Sequence, residues 1–348
     1  MSLPAPPSLA EILAHTPRIA TVPDSSPRPF WSVMIATYNS GPYLRRTLES
    51  VLRQDPGPET MQIEVVDGGS VNDAAEEITR ELGRGRVPFY RLPSNQGPAH
   101  TFNTCIERSR GRWVHILHGD DVVQPDFYEA YAAATRAEPR AVMVLGQVVI
   151  IDEADRWMRL QGPIPPAGGG VLPDFVEQQA WQQLVMCPSV VVQRDAYEQA
   201  GGFCTLFASV TDWDLWFRLG QLGPVACVPR PLSLYRHHRG SETARLYASD
   251  AVIWESYHVV KANLERLGKP GTPEEWKAWR SDWATKADRF AWELDSRNST
   301  AGRYSLARCA WMLDPNWRRL VMLAKSWLKH ELKPSGAGAP AAALREST

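Results

Sequence analysis

Four short apolar runs, each ending in polar, turn-like residues and each followed by a helical or loop stretch, restrict the fold more than anything else in this sequence. They are "WSVMIAT" (Trp31–Thr37), "QIEVVD" (Gln62–Asp67), "VPFYRL" (Val87–Leu92) and the run Trp113–Leu117. Between them, Tyr43–Arg53, Asp73–Leu82 and Pro98–Arg108 read as helices. Strands alternating with helices of this length build βαβ units, and so an α/β domain around a mainly parallel sheet. Sheets of this kind bind ligands beyond the carboxyl ends of their strands. Three of those ends read "TYNSG", "DGGS" and "HGDD", which places Thr37, Asn39, Asp67, Asp120 and Asp121 on one rim.

The second half is looser. Ala141–Ile151 is a β-branched strand candidate, about half the length of a membrane-spanning helix. Gln161–Pro173 is a Gly/Pro-rich loop of the sort that moves near a site. Cys187–Gln193 restores a strand, Gly201 stops a short helix, a further helix begins at Thr211 or Asp212, and "PVACVP" is a last strand. From about Tyr247 the text is helical and strandless. The expected organisation is a proline-rich arm over 1–28, the α/β domain over 29–245, a helical appendage over 246–333 and a disordered tail over 334–348.

Composition narrows the class. A net charge of −1 over 348 residues gives no basic field for a nucleic-acid partner. Five scattered cysteines with no C-x-x-C pair fit buried thiols in a reducing compartment. With no run approaching a spanning helix and no basic-then-apolar leader, a cytoplasmic protein is expected.

The rim residues carry the chemistry. Adjacent carboxylates where a buried strand opens into a loop are costly unless a cation or water meets them. They suit a hard divalent ion with room for a phosphate, although capping of the next turn is an equal reading for an isolated "GDD". Side chains alternate in extended chain, so Asp120 and Asp121 should not face one ion equally. One is expected to ligate directly while the other takes a water or a backbone amide. Asp67, before Gly68 and Gly69, reads either as an Asx-type turn or as an acceptor for a ribose hydroxyl or base N–H. The first βα loop is not G-x-G-x-x-G, which argues against a dinucleotide.

Taken together, "SVMIATYNSGPYLRRTLESVLRQ", "IEVVDGGSVND", "NQGPAHTFNTCIERSRGRWVHILHGDDVVQPDF", "PSVVVQRDAYEQAGGF", "TDWDLWFRL" and "YRHHRGS" resemble glycosyltransferase family 2, in the family's order, from about Trp31 to Ser241. The resemblance implies a GT-A-like, Rossmann-type nucleotide-binding domain and an inverting transfer of sugar from a nucleoside-diphosphate sugar to an acceptor hydroxyl, with Mg2+ or Mn2+. It implies that Thr37, Tyr38, Asn39 and Asp67 hold the nucleoside, and that Asn95, Gly97 and Asn103 line its pocket. By the same resemblance Asp120 matches the metal-binding aspartate of the D-x-D motif, with Asp121 beside it. Asp212 matches the general base, and His238 a histidine near metal and diphosphate. The chain departs from the pattern at His118, which stands where D-x-D has its first carboxylate and is read as a ribose contact. Thr211 replaces the usual glutamate before the base, and Ala36 a common proline.

Attack at an anomeric carbon needs a base on one face and a charge sink for the leaving diphosphate on the other. Asp212 is the expected base, with Asp214 the second choice, and Arg236 is expected to help the ion and His238 hold the diphosphate. Thr211 and the acidic residues after it also read as a helix start. Trp213 is the candidate for stacking on an acceptor sugar, although core packing explains its helical spacing with Trp216 and Phe217. In the C-terminal region, Asn316–Lys333 puts Trp317, Leu320, Val321, Ala324, Trp327 and Leu328 on one face, with Arg318, Arg319, Lys325, Lys329 and Lys333 around it. Two readings stand: a helix lying on an anionic membrane surface, or one docked on the catalytic domain. The membrane reading would go with a lipid-linked glycan acceptor and a peripheral position on the cytoplasmic face. Two rivals remain, a nucleotidyltransferase, for which "TYNSGPY" is a poor triphosphate loop, and a degenerate domain that only binds glycan or nucleotide.

Overall fold

The computed structural model describes residues 5–23, 28–71, 74–246, 248–295 and 300–331. Its strands are β1 (Trp31–Thr37), β2 (Met61–Asp67), β3 (Phe89–Arg91), β4 (Trp113–His118), β5 (Val122–Val123), β6 (Met143–Ile151), β7 (Trp157–Gln161), β8 (Gly170–Val171), β9 (Val191–Gln193) and β10 (Val225–Arg236). They form one sheet in the order β3-β2-β1-β4-β9-β6-β10-β5, with β7 on β6 and β8 on β10. β3, β2, β1 and β4 pair in parallel; β9 is antiparallel between β4 and β6, and β10 runs parallel to β6. The expected mixed α/β class with a mostly parallel sheet is what the chain adopts.

Why β1 carries no polar alternation is clear from its surroundings. All seven of its residues are buried. Val33 and Ile35 pack into one core with Leu44, Leu48 and Val51 of the helix Gly41–Leu52. Met34 and Ala36 face the opposite core, with Cys105 and Ile106 of the helix Pro98–Arg108. A strand covered by helices on both faces reads as a continuous apolar run. Register then makes the rim: Thr37 lies opposite Asp67, and Ala36 opposite His118.

Several expectations change. β10 runs twelve residues, past "PVACVP" to Arg236, because its second half pairs again with β6 after an irregularity between Val228 and Ser233. The Gly/Pro-rich stretch is anchored at both ends, by Gln161 in the β6–β7 hairpin and by Gly170–Val171 against Ala226–Cys227. The N-terminal arm is not loose. Ser8 and Glu11 form a capping box on the helix Leu9–Ala14, Ile12 and Ile19 are buried, and Gly202 and Thr205 each donate a backbone hydrogen bond to it, at 2.9 Å.

The described residues fall into two compact units, one within Met1–Leu246 and Trp254–Pro270, the other within Tyr247–Ile253 and Gly271–Thr348. The expected boundary near 245 therefore moves. Glu255 accepts the Ser209 N–H at 2.7 Å and Arg266 pairs with Asp214 at 2.8 Å, which holds residues 254–270 to the first unit. The second unit contains the helices Pro273–Asp295, Thr300–Leu313 and Trp317–Glu331. The expected tail over 334–348 lies outside the described residues, as do Lys333 and the proposed helix start at Asp73. No described helix is long and apolar enough to cross a membrane. All five cysteines are free thiols.

Candidate active site

The rim begins at the end of β1. Asn39 sits at φ 51°, in the left-handed region that asparagine tolerates, and donates its N–H to Ser70 Oγ at 2.8 Å. Its Oδ1 accepts the Val71 N–H at 3.2 Å, so the first and second βα turns are stitched together. Tyr38 is exposed at the lip, and Thr37 is buried with no partner for its hydroxyl among the described residues. Asp67 is fully buried. It accepts from the Ser70 N–H at 3.1 Å, from the Ser70 hydroxyl, and from Arg91 Nε at 2.6 Å. The turn reading holds, and the same carboxylate also ties β2 to β3 at the rim through Arg91. Asn95 Oδ1 accepts the Gly97 N–H at 2.8 Å, and Gly97 starts the helix Pro98–Arg108 at φ 91°, where a side chain would be strained.

Asn103 does not line this rim. It is buried, accepting the Phe203 N–H at 2.7 Å and donating to the Phe203 carbonyl at 2.9 Å. Its amide is held on both sides by the "GGF" turn, a long-range partner that local spacing cannot reveal.

The loop after β4 brings the acidic pair together with two histidines. Asp120 Oδ2 lies 2.9 Å from His238 Nε2. Asp121 is buried; its Oδ1 accepts the Arg236 N–H at 2.8 Å, while Oδ2 has no hydrogen-bond partner and lies 3.6 Å from His118 Nδ1. The expected asymmetry between the two carboxylates is present. Ligand atoms of His118, Asp120 and Asp121 lie within 4.8 Å of one another. Burial, together with the charge of Asp120, pushes the Asp121 carboxyl well above the usual carboxylate range. A buried, unpartnered carboxylate oxygen in a cluster of oxygen and nitrogen ligands is the environment a cation would relieve. His118 stacks on Phe102, with ring centroids 5.0 Å apart and planes 4° from parallel, and burial lowers its pKa. It therefore belongs with the acidic pair as much as with a ribose.

Other residues hold this loop in place. Thr47 Oγ1 reaches the carbonyls of Gly119 at 3.0 Å and Asp121 at 2.7 Å. At Gly119, a Cβ would come within 2.8 Å of Thr37 Oγ1, so only glycine lets the loop lie against β1. Arg236 is a correction: it is buried, and its guanidinium donates to the carbonyls of Asp120 at 2.9 Å and Asp152 at 3.2 Å and pairs with Asp155 at 2.5 Å. Its Cζ lies 4.8 Å from the Tyr43 ring centre, and that ring packs on His238 at 4.7 Å. Arg236 positions the acidic loop through Nε and Nη1, while its buried Nη2 has no hydrogen-bond partner among the described residues. Thr47, Tyr43 and Asp155 went unread because nothing in their local sequence marks them as partners of residues some 70 to 190 positions away.

Asp212 lies in the first turn of the helix Thr211–Gly220, half-buried. Its Oδ1 accepts the Trp213 N–H at 2.8 Å, and the Cys187 thiol donates to Oδ2 at 3.6 Å. Burial pushes its carboxyl up to about 6, against these stabilising hydrogen bonds. Cys187 lines a small cavity with His118, and its thiol is raised by burial and by the charges of both Asp212 and Asp121. Cys187 is a contact that the sequence reading missed, although its place at the start of "CPSVVVQ" put it at a strand end.

Three neighbours are structural. Thr211 is not the cap: Val210 precedes the helix, and Thr211 Oγ1 donates to the Cys204 carbonyl at 2.8 Å. Trp213 is buried, with its indole N–H donating to the Gln179 carbonyl at 2.6 Å, so its ring packs the helix and offers no face to an acceptor sugar. Asp214 is fully buried between Arg218 and Arg266, each at 2.8 Å. Burial pushes its carboxyl up, but the two guanidiniums win and hold it below the usual range. That stability is present above about pH 4 and is lost as pH falls through the depressed folded value. Asp214→Ala is expected to cost about 3–5 kcal/mol, read by urea unfolding, because two partly buried guanidiniums lose their counter-ion.

Residues 32–198 match the family model described as glycosyl transferase family 2. An uncharacterized protein of Mycobacterium tuberculosis is 29% identical over 232 residues, covering 64% of this chain and 72% of that one. The succinoglycan biosynthesis protein ExoO of Rhizobium meliloti is 36% identical over 112 residues, 32% of this chain and 30% of its own length. The chain thus spans less than a third of the ExoO protein. In fold it is similar to S. aureus TarS, solved in complex with UDP-GlcNAc, with a TM-score of 0.58 and 14% identity over 86% of this chain and 87% of that one.

Proposed function

We propose that this chain is an inverting glycosyltransferase that moves a sugar from a nucleoside-diphosphate sugar to a hydroxyl of a glycan or lipid-linked glycan in bacterial surface-polysaccharide synthesis. The observation that carries the reading is the pairing of a half-buried Asp212, its carboxyl near 6, with an acidic loop holding an unpartnered buried carboxylate oxygen. The family match and the place of ExoO in succinoglycan biosynthesis support it. Asp120 and Asp121, with His118 and His238 beside them, would hold Mg2+ or Mn2+. When bound, such a cation supplies a charge sink for the leaving diphosphate.

The chain's own residues do the rest. Asp212 takes the proton from the acceptor hydroxyl as the oxygen attacks the anomeric carbon, and the new bond forms on the face opposite the leaving diphosphate. Tyr38, Asn39, Asp67, Asn95 and Gly97 shape the nucleoside side of the rim. Arg236 and Thr47 keep the acidic loop rigid, so its oxygens need little rearrangement on binding.

A second reading, a module that binds but does not turn over, is favoured by His118 in place of a carboxylate. Incubation with UDP-, GDP- and dTDP-sugars without acceptor separates the two. Release of one nucleoside diphosphate, dependent on Mg2+ or Mn2+, is the expected result; binding with no release under any condition would favour the module.

A further inference from the structure

The helix Trp317–Glu331 packs on its own unit through its polar side. Arg319 donates to Asp288 Oδ2 at 2.8 Å and also pairs with Asp314, and Arg303 Nε donates to Ser326 Oγ at 3.1 Å. His330 stacks on Tyr304, with ring centroids 5.6 Å apart. The apolar residues face outward instead: Trp317 is 71% exposed, Leu320 52%, Trp327 48% and Leu328 47%, with Val321 and Ala324 also exposed. At about 100° per residue these six cover an arc of about 120°. Arg318 and Lys325 lie along one edge of that arc, Lys329 continues the edge, and Glu331 is the one acidic residue of the helix.

This inverts the arrangement of a core-facing amphipathic helix, whose apolar stripe is buried and whose charges are wet. An exposed apolar stripe of this size marks an interaction surface. We infer that the face rests on an anionic lipid bilayer, with Trp317, Leu320, Trp327 and Leu328 in the headgroup–acyl boundary and Arg318 and Lys325 against lipid phosphates. Two features favour a bilayer over a second copy of the chain. The tryptophans sit about 15 Å apart along the axis, near both ends of the stripe, and indoles prefer the lipid–water boundary. The edge is basic with almost no acidic counterpart, so it complements an anionic surface and repels its own duplicate. Arg319, counted from sequence with the basic edge, is buried in ion pairs and takes no part.

Flotation of the full chain with vesicles tests this, using phosphatidylcholine alone and phosphatidylcholine mixed with phosphatidylglycerol. The chain is expected to partition into the mixed vesicles, with affinity falling at high salt. The double variant Leu320→Glu/Leu328→Glu should lose about tenfold or more in partitioning, while Arg318→Gln/Lys325→Gln should lose the preference for phosphatidylglycerol. Both pairs are solvent-exposed, so unchanged thermal unfolding is expected and keeps the comparison valid. Equal partitioning of wild type and the glutamate variant would overturn the proposal. So would absence of vesicle binding together with a dimer that the same two substitutions dissolve.

Discussion

Asp212→Asn is expected to leave nucleotide affinity unchanged and to lower turnover by roughly 10²–10⁴-fold, the range for loss of a positioned general base. Calorimetric binding and donor-to-acceptor transfer, measured on the same preparation, check the two halves. The pH profile should follow from the same carboxyl, which burial raises to about 6. It must be ionised to accept a proton, so turnover should fall as pH drops below about 6. The effect on stability has the opposite sign to that of a salt-bridged aspartate. A folded value above the unfolded one, about 3.9, means that the native state holds the proton more tightly. Stability from this group is greatest at low pH and is lost as pH rises through about 6. At neutral pH the ionised, desolvated carboxylate is therefore a burden of up to about 3 kcal/mol, which Asn removes. The inactive variant should melt higher than wild type at pH 7 to 8, and the gap should close toward pH 4. A variant that melts lower at pH 8 would show that Asp212 is structural, as Asp214 is.

The second large effect lies in the acidic loop. Nucleoside diphosphate binding is expected to strengthen with Mn2+ in the wild type, and that enhancement should be lost by about 100-fold or more in Asp120→Ala, since outer-shell changes alone cost 10- to 100-fold. Calorimetric titration with and without the cation, at fixed pH, gives the measurement. His118 adds a chain-specific refinement. An imidazole beside two carboxylates suits first-row transition ions better than Mg2+, which prefers an all-oxygen octahedron. His118→Asp should thus narrow the difference between Mn2+ and Mg2+. Mn2+ enhancement persisting in Asp120→Ala would move the ion away from this loop.

The parts of the site that were legible in the sequence are those fixed by strand ends. Thr37, Asp67 and His118 fall where apolar runs stop, and parallel register alone aligns them. Asn103, Trp213 and Arg236 were read as facing ligand for their chemistry, but each is tied to a distant backbone partner: Phe203, Gln179, and Asp120 with Asp152. Helical or strand period places a residue on a face; it does not say which distant segment will cover that face. The C-terminal helix shows the same limit from the other side. Its amphipathic period was plain, yet the side that would be buried depended on Asp288 and Arg303, which lie on other helices, and on Asp314 in the preceding turn.

The docked N-terminal segment has a kinetic consequence. Ile12 and Ile19 are core residues, but the groups that seat their segment are Arg194, Gly202 and Thr205, the last hydrogen-bonded to His15 across 190 positions. At about 5–20 residues per second of synthesis, that separation is a delay of roughly 10–40 s. During it an apolar stretch already outside the ribosome has nothing native to bind. This corner of the domain closes late in synthesis, and chaperone occupancy of the nascent chain should concentrate there.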